Sequence, residues 1–148
     1  MTDPRPDWDT YYLGIAKAVS VRADCTRRKI GAIIVDPNGR PLGQGYNGAP
    51  PGKPGCLSTG ACPRGQMSIS DILPGSSYDT GSGSCIAVHA EINAILDAGG
   101  RRACLGATLY ITDKPCDGCA RIIEAAGIVR VVYSSGEGFV TVATAYFH

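Results

Sequence analysis

From Trp8 onward, apolar side chains recur at helical intervals. Trp8, Tyr12, Ile15, Ala16 and Val19 fall roughly on one face, which predicts an amphipathic helix over 8–22. The period then changes. "KIGAIIVDPNGRPLGQGY" is an apolar run, a turn and a second extended run, and "DPNG" predicts the turn of a hairpin. From Asn47 to Ser84 the chain is rich in Gly, Pro and Ser and keeps little periodicity, so 47–88 predicts an irregular insertion. A stretch that long inside a compact domain has a function, a pin or disorder. Helical spacing returns over 89–98 and stops at Gly99 and Gly100. "ATLYIT" then predicts a strand, "CDGCARIIEAAG" a helix closed by Gly127, "IVRVVY" a strand, and "GFVTVATAYFH" a loosely alternating final strand.

Strand–helix–strand units imply parallel pairing with right-handed crossovers. The predicted fold class is therefore α/β, a three-layer α/β/α domain around one mixed sheet of about five strands. With 148 residues the chain has enough material for one sizeable core and too little for two, so 1–148 is expected to be a single domain. "GQGYNG" at 43–48 fits a dinucleotide-binding fingerprint, but "APPGKPG" follows it and cannot open the helix that such a site requires.

Composition narrows the function classes. Hydrophobic residues make up 44% and charged residues 18%, ordinary values for a soluble globular protein. A net charge of +1 gives no electrostatic grip on a polynucleotide or a membrane surface. No apolar leader opens the chain and no run approaches a membrane span, so the protein is expected to be cytoplasmic. A small phosphorylated ligand stays open, because it needs only a few local cations.

The cysteines change the picture most. Seven occur, at 25, 56, 62, 85, 104, 116 and 119. An odd number without a secretion signal argues for metal or catalysis over a disulfide framework. Pro115-Cys116-Asp117-Gly118-Cys119 sets two thiols one turn apart at the start of a predicted helix, where unpaired N–H groups favour thiolates. His89, at the start of the preceding helix, supplies a third donor, and Glu91 would stand beside the open position rather than on the metal. H-x-E followed by P-C-x-x-C is the signature of zinc deaminases. Zinc lowers the pKa of bound water to roughly 7. In this chemistry Glu91 shuttles the proton from the water to the ring nitrogen and then to the departing ammonia. Cys25, Cys56, Cys62 and Cys85 form a second group, the full complement of a closed structural zinc site that would pin the insertion. Buried or free thiols are the alternative, since close C-x-x-C pairs are missing. Cys104 reads as a packing residue.

The segments "CTRRKIGAIIV", "GYNGAPPGKPGC", "CIAVHAEINAIL" and "GATLYITDKPCDGCARIIEAAGIVRVVY" resemble, in this order, those of the deoxycytidylate (dCMP) deaminases of the cytidine deaminase superfamily. The resemblance runs from about Trp8 to Tyr133. It implies a cytidine-deaminase-like domain in which His89, Cys116 and Cys119 hold catalytic zinc, Glu91 is the proton shuttle, Asn47 contacts the sugar and the backbone around Ala90 lines the base. It also implies a second, structural zinc on Cys25, Cys56 and Cys85, with Cys62 near a further loop cysteine. Homo-oligomers, typically hexamers, with dCTP and dTTP as effectors follow from the same resemblance. Two features depart from it. Glu137 stands about where relatives carry a tyrosine near the substrate phosphate, and a carboxylate there would repel that group. The sequence also stops at His148, where relatives often continue, so the last part of the sheet is expected to be shortened or rebuilt.

Among the local cations, Arg28 of "RRK" is the first choice for a phosphate contact, against a plain solvated loop. The expected activity is hydrolysis of dCMP to dUMP. The alternatives are deamination of another free cytosine nucleoside or nucleotide, or of a purine base, and a non-catalytic zinc-stabilised regulatory module. Retention of Glu91 speaks against the last of these.

Overall fold

A computed structural model describes residues 3–59 and 85–144. The elements run α1 (Trp8–Ser20), β1 (Gly31–Val35), β2 (Pro41–Tyr46), α2 (Cys56–Thr59), α3 (Ala90–Ala98), α4 (Arg101–Cys104), β3 (Thr108–Ile111), α5 (Asp117–Ala125), β4 (Arg130–Ser135) and β5 (Gly138–Ala143). The strands form one sheet in the order β2-β1-β3-β4-β5. Only β3 and β4 run parallel; the other pairs are antiparallel. This is the mixed five-stranded α/β sheet that the periodicity predicts.

Both faces of the central strands are covered, which is why β1 reads as an unbroken apolar run. Ala32, Ile34, Leu109, Ile111 and Val131 face a core shared with Ala90, Ala94 and Ile95 of α3 and Ile123 of α5. Ile33, Val35, Tyr110 and Val132 face the opposite core, under Tyr12, Leu13 and Ala16 of α1. Each fully buried branched side chain contributes roughly 1.5–3 kcal/mol of transfer free energy. Cys104 is wholly buried in the first core, where burial pushes its thiol up.

The buried face of α1 differs from the expected one. Tyr12, Leu13, Ala16 and Ser20 are buried, whereas Trp8 is 71% exposed. The reason is close approach to β1: a Cβ on Gly31 would lie 2.1 Å from the Ala16 carbonyl oxygen. A helix held that near the sheet turns Ala16 and Ser20 onto β1.

Three devices place the start of α3. A Cβ at Gly45 would stand 2.4 Å from the Ala90 oxygen and the Ala94 nitrogen, so the helix rests on bare strand backbone. Gly48 and Val88 exchange backbone bonds of 3.2 and 2.7 Å directly before His89. Asn93 Nδ2 donates to the Tyr46 carbonyl at 2.8 Å. At its other end α3 stops on Gly99, whose φ of 106° is left-handed. The sequence reading missed the short helices α2 and α4, which span four residues each and carry no full period.

After β4 the chain turns back through Gly136 and Glu137, and β5 pairs antiparallel along the outer side of β4. The expected final strand is therefore present, as one arm of a hairpin. Of the irregular insertion, residues 60–84 lie outside the described residues.

Candidate active site

His89 is the N-cap of α3 and Cys116 the N-cap of α5. The two helices begin at the same side of the sheet, and Cys119 follows within the first turn of α5. His89 Nδ1 lies 3.0 Å from Cys119 Sγ and 3.7 Å from Cys116 Sγ. Glu91 Oε1 lies 3.6 Å from His89 Nδ1. All four ligand atoms fall within 4.8 Å of one another, the one such group of metal donors among the described residues. Usual Zn–N and Zn–S lengths put tetrahedral donors roughly 3.6 Å apart. The two nitrogen–sulfur distances bracket that value, so the donor set fits zinc in size and in chemistry.

Glu91 is only 3% exposed. Burial, the largest single influence, pushes its carboxyl up, but the hydrogen bonds to His89 and Cys119 overcome it and hold the carboxyl below its ordinary value. Glu91 is thus a buried carboxylate. Burial pushes the Cys119 thiol up, and the neighbouring Glu91 charge adds to that. A dication among these groups reverses the sign for sulfur, because a coordinating thiol is deprotonated outright.

The cluster opens into a cavity of about 520 Å³, a size suited to a small organic ligand. Asn47, Ala90 and Arg28 line it together with His89, Glu91 and Cys116, so the three residues expected to meet the substrate share one space with the metal donors. Asn47 is buried, and its amide is engaged with the neighbouring loop. Nδ2 donates to the Arg28 carbonyl at 2.8 Å, and Oδ1 accepts from the Ile30 N–H at 2.9 Å. Glu137 lies at the tip of the β4–β5 hairpin and is not among the residues lining the cavity. The expected repulsion of a phosphate by Glu137 is therefore not found here. Asp113 and Lys114 do line the cavity, and sequence reasoning did not single them out. Their position directly ahead of Pro115 and Cys116 was the available signal.

Three cysteines of the second group are described. Cys25 and Cys85 line the same cavity, and Cys56 is buried at the start of α2. Cys62 lies outside the described residues. Backbone N–H groups point at two of these sulfurs: Arg27 and Arg28 at Cys25, at 3.4 and 3.3 Å, and Ala87 at Cys85, at 3.4 Å. No helix among the described residues is long and apolar enough to cross a membrane.

A mixed sheet that presents one imidazole, two thiols and a buried carboxylate at adjacent helix starts defines a metal-dependent hydrolase of the zinc-deaminase class. Comparison with known proteins takes the assignment further. Residues 6–135 match the model of the cytidine and deoxycytidylate deaminase zinc-binding region, and the chain belongs to that family. It is 51% identical over 130 residues to a deoxycytidylate deaminase of Mycobacterium phage D29, covering 87% of this chain and 95% of that one. It is 39% identical over 129 residues to the deoxycytidylate deaminase of Schizosaccharomyces pombe, where the match covers 87% of this chain but 37% of the yeast protein. Among solved structures, the dCMP deaminase of cyanophage S-TIM5 in complex with dCMP and dUMP superposes with a TM-score of 0.61 at 28% identity, over 88% of this chain and 83% of that one.

Proposed function

We propose that the protein is a zinc-dependent hydrolase that converts dCMP and water to dUMP and ammonia. One observation carries this reading: the buried Glu91 carboxylate stands beside one nitrogen and two sulfur donors, at the floor of a cavity that Asn47 and Arg28 also line. His89, Cys116 and Cys119 would hold zinc, which when bound supplies Lewis-acid activation of water at neutral pH. Glu91 accepts one proton from the attacking water and delivers it to N3 of the cytosine, then takes the second from the hydroxyl now on C4 and delivers it to the amino group, which leaves as ammonia while C4 becomes a carbonyl. Burial keeps this carboxylate from exchanging protons with bulk solvent between the two transfers. The wall around Ala90 lines the base, Asn47 meets the sugar, and Arg28 takes the 5′-phosphate.

The same reading includes a second, structural zinc on Cys25, Cys56, Cys62 and Cys85. It is supported by the backbone N–H groups of Arg27, Arg28 and Ala87, which point at the sulfurs of Cys25 and Cys85. It also includes a cytoplasmic homo-oligomer, a hexamer regulated by dCTP and dTTP. Exposed Trp8, Leu96 and Leu105 are available to subunit contacts.

The test is a deamination panel on metal-replete protein, comparing dCMP with CMP, deoxycytidine and cytosine, with zinc per chain determined on the same sample. Preference for dCMP is expected, and Glu91→Gln should lower turnover by at least about 100-fold while zinc stays bound. Turnover of deoxycytidine at least equal to that of dCMP would reject the phosphate assignment.

A further inference from the structure

We infer that Asp113 is a specificity-determining residue. It is the counter-ion that Arg28 gives up when a 5′-phosphate enters the cavity. The inference rests on the monophosphate reading above and adds to it the group with which the phosphate competes.

Arg28 sits on a fixed piece of backbone. Its carbonyl accepts from Asn47 Nδ2 at 2.8 Å and its N–H points at Cys25 Sγ at 3.3 Å, while Asn47 Oδ1 holds the Ile30 N–H at 2.9 Å. The side chain, by contrast, is 73% exposed. From the loop between β3 and α5, which also lines the cavity, Asp113 Oδ2 lies 3.8 Å from Arg28 Nη1. That separation is an ion pair without a hydrogen bond, because N–H···O bonds end near 3.2 Å.

Among the described residues, Asp113 and Glu91 are the two acidic ones lining the cavity. Glu91 is buried among the metal donors, so Asp113 is the one of the two that faces Arg28. A phosphate dianion offers Arg28 short, charge-assisted, bidentate bonds and carries more charge than a carboxylate. It therefore displaces Asp113. An uncharged nucleoside brings nothing to exchange and leaves the pair in place. Monophosphate binding becomes an exchange of one anion for another, and Asp113 lowers the affinity for the phosphate without touching the reacting atoms.

The experiment uses the full, zinc-replete chain and reads calorimetric binding of dUMP against deoxyuridine, together with dCMP kinetics. In Asp113→Asn, the Kd for dUMP and the KM for dCMP should fall by about two- to five-fold, the range of an exposed ion pair. The kcat and the affinity for deoxyuridine should stay as in the wild type. In an Arg28→Ala background the same substitution should bring no gain. A gain of equal size there would mean plain charge repulsion and overturn the exchange. So would equal tightening of deoxyuridine, a change confined to kcat, or a wild-type protein that binds dUMP no tighter than deoxyuridine. Phosphate-dependent binding without any turnover of dCMP would reject the functional reading alone and leave the exchange standing.

Discussion

Gly45→Ala is a sharp test of how this fold holds its catalytic groups. The added Cβ would stand 2.4 Å from both the Ala90 oxygen and the Ala94 nitrogen, and 2.8 Å from the Asn93 carbonyl carbon, all backbone of α3. Ordinary contact begins near 3.4 Å, so the start of the helix must retreat by about 1 Å. Gly45 has no positive φ, and the cost is therefore steric rather than conformational. Overpacking of this kind costs about 1–3 kcal/mol. A gain of about 0.4–1 kcal/mol from the less flexible unfolded chain offsets part of it.

The same displacement moves His89 and Glu91, which flank Ala90, and a 1 Å misplacement of catalytic groups costs on the order of 100-fold in rate. Urea unfolding, zinc content and dCMP turnover measured on one preparation read the three effects together. Gly43→Ala is the partner experiment, because its Cβ would strike Ala98 at the far end of the helix, at 2.5 Å. It should lose comparable stability and keep more of its turnover. Gly14, with nothing within 4 Å of its added Cβ, is the control. Gly45→Ala protein with stability and turnover within two-fold of wild type would refute the claim that bare strand backbone positions the site.

Two further outcomes follow from the titratable groups and the metal donors. Arg130 holds the Asp9 carboxyl below its ordinary value, and burial, followed by the Asp9 hydrogen bond, pushes the Tyr110 hydroxyl up to about 12. The Asp9 contribution is full above the unfolded carboxyl value near 4 and fades as pH falls through the lower folded value, whereas the Tyr110 contribution is full below about 10 and fades as pH rises toward 12. With the Arg130 side chain 35% exposed, solvent screening holds the acid-side effect to about 1 kcal/mol. Asp9→Asn should flatten the acid limb of a stability–pH curve, and an unchanged limb would reject the assignment. Chelation of zinc should free Cys116, which is exposed, to react with a thiol reagent before buried Cys119 does; equal reactivity with and without chelator would argue against both as ligands.

Much of the site was legible in the chain because its parts are local. His89-Ala90-Glu91 and Pro115-Cys116-Asp117-Gly118-Cys119 are short spacings at helix starts, and helix starts follow from periodicity and from the strand that precedes each. The strands of the central sheet were legible as apolar runs and the first hairpin by its turn. The two-sided burial of β1 was not, since an unbroken apolar run does not say which residue faces which layer. Only packing assigned Ile33 and Ile34 to opposite cores.

The sequence by itself determined the order of the main elements, the mixed sheet and the chemistry of the donor set, all of which depend on residue type and on spacings of a few positions. Tertiary structure decided what depends on distance in space. It left Trp8 outside and brought α1 against Gly31, and it set β5 antiparallel at the edge, with Glu137 at the hairpin tip. It engaged the Asn47 amide with the Arg28 loop, and it brought Arg28 and Asp113 together at one cavity. Each of these joins groups far apart along the chain, and no local pattern of polar and apolar residues carries the relative position of two segments that meet only when the core closes.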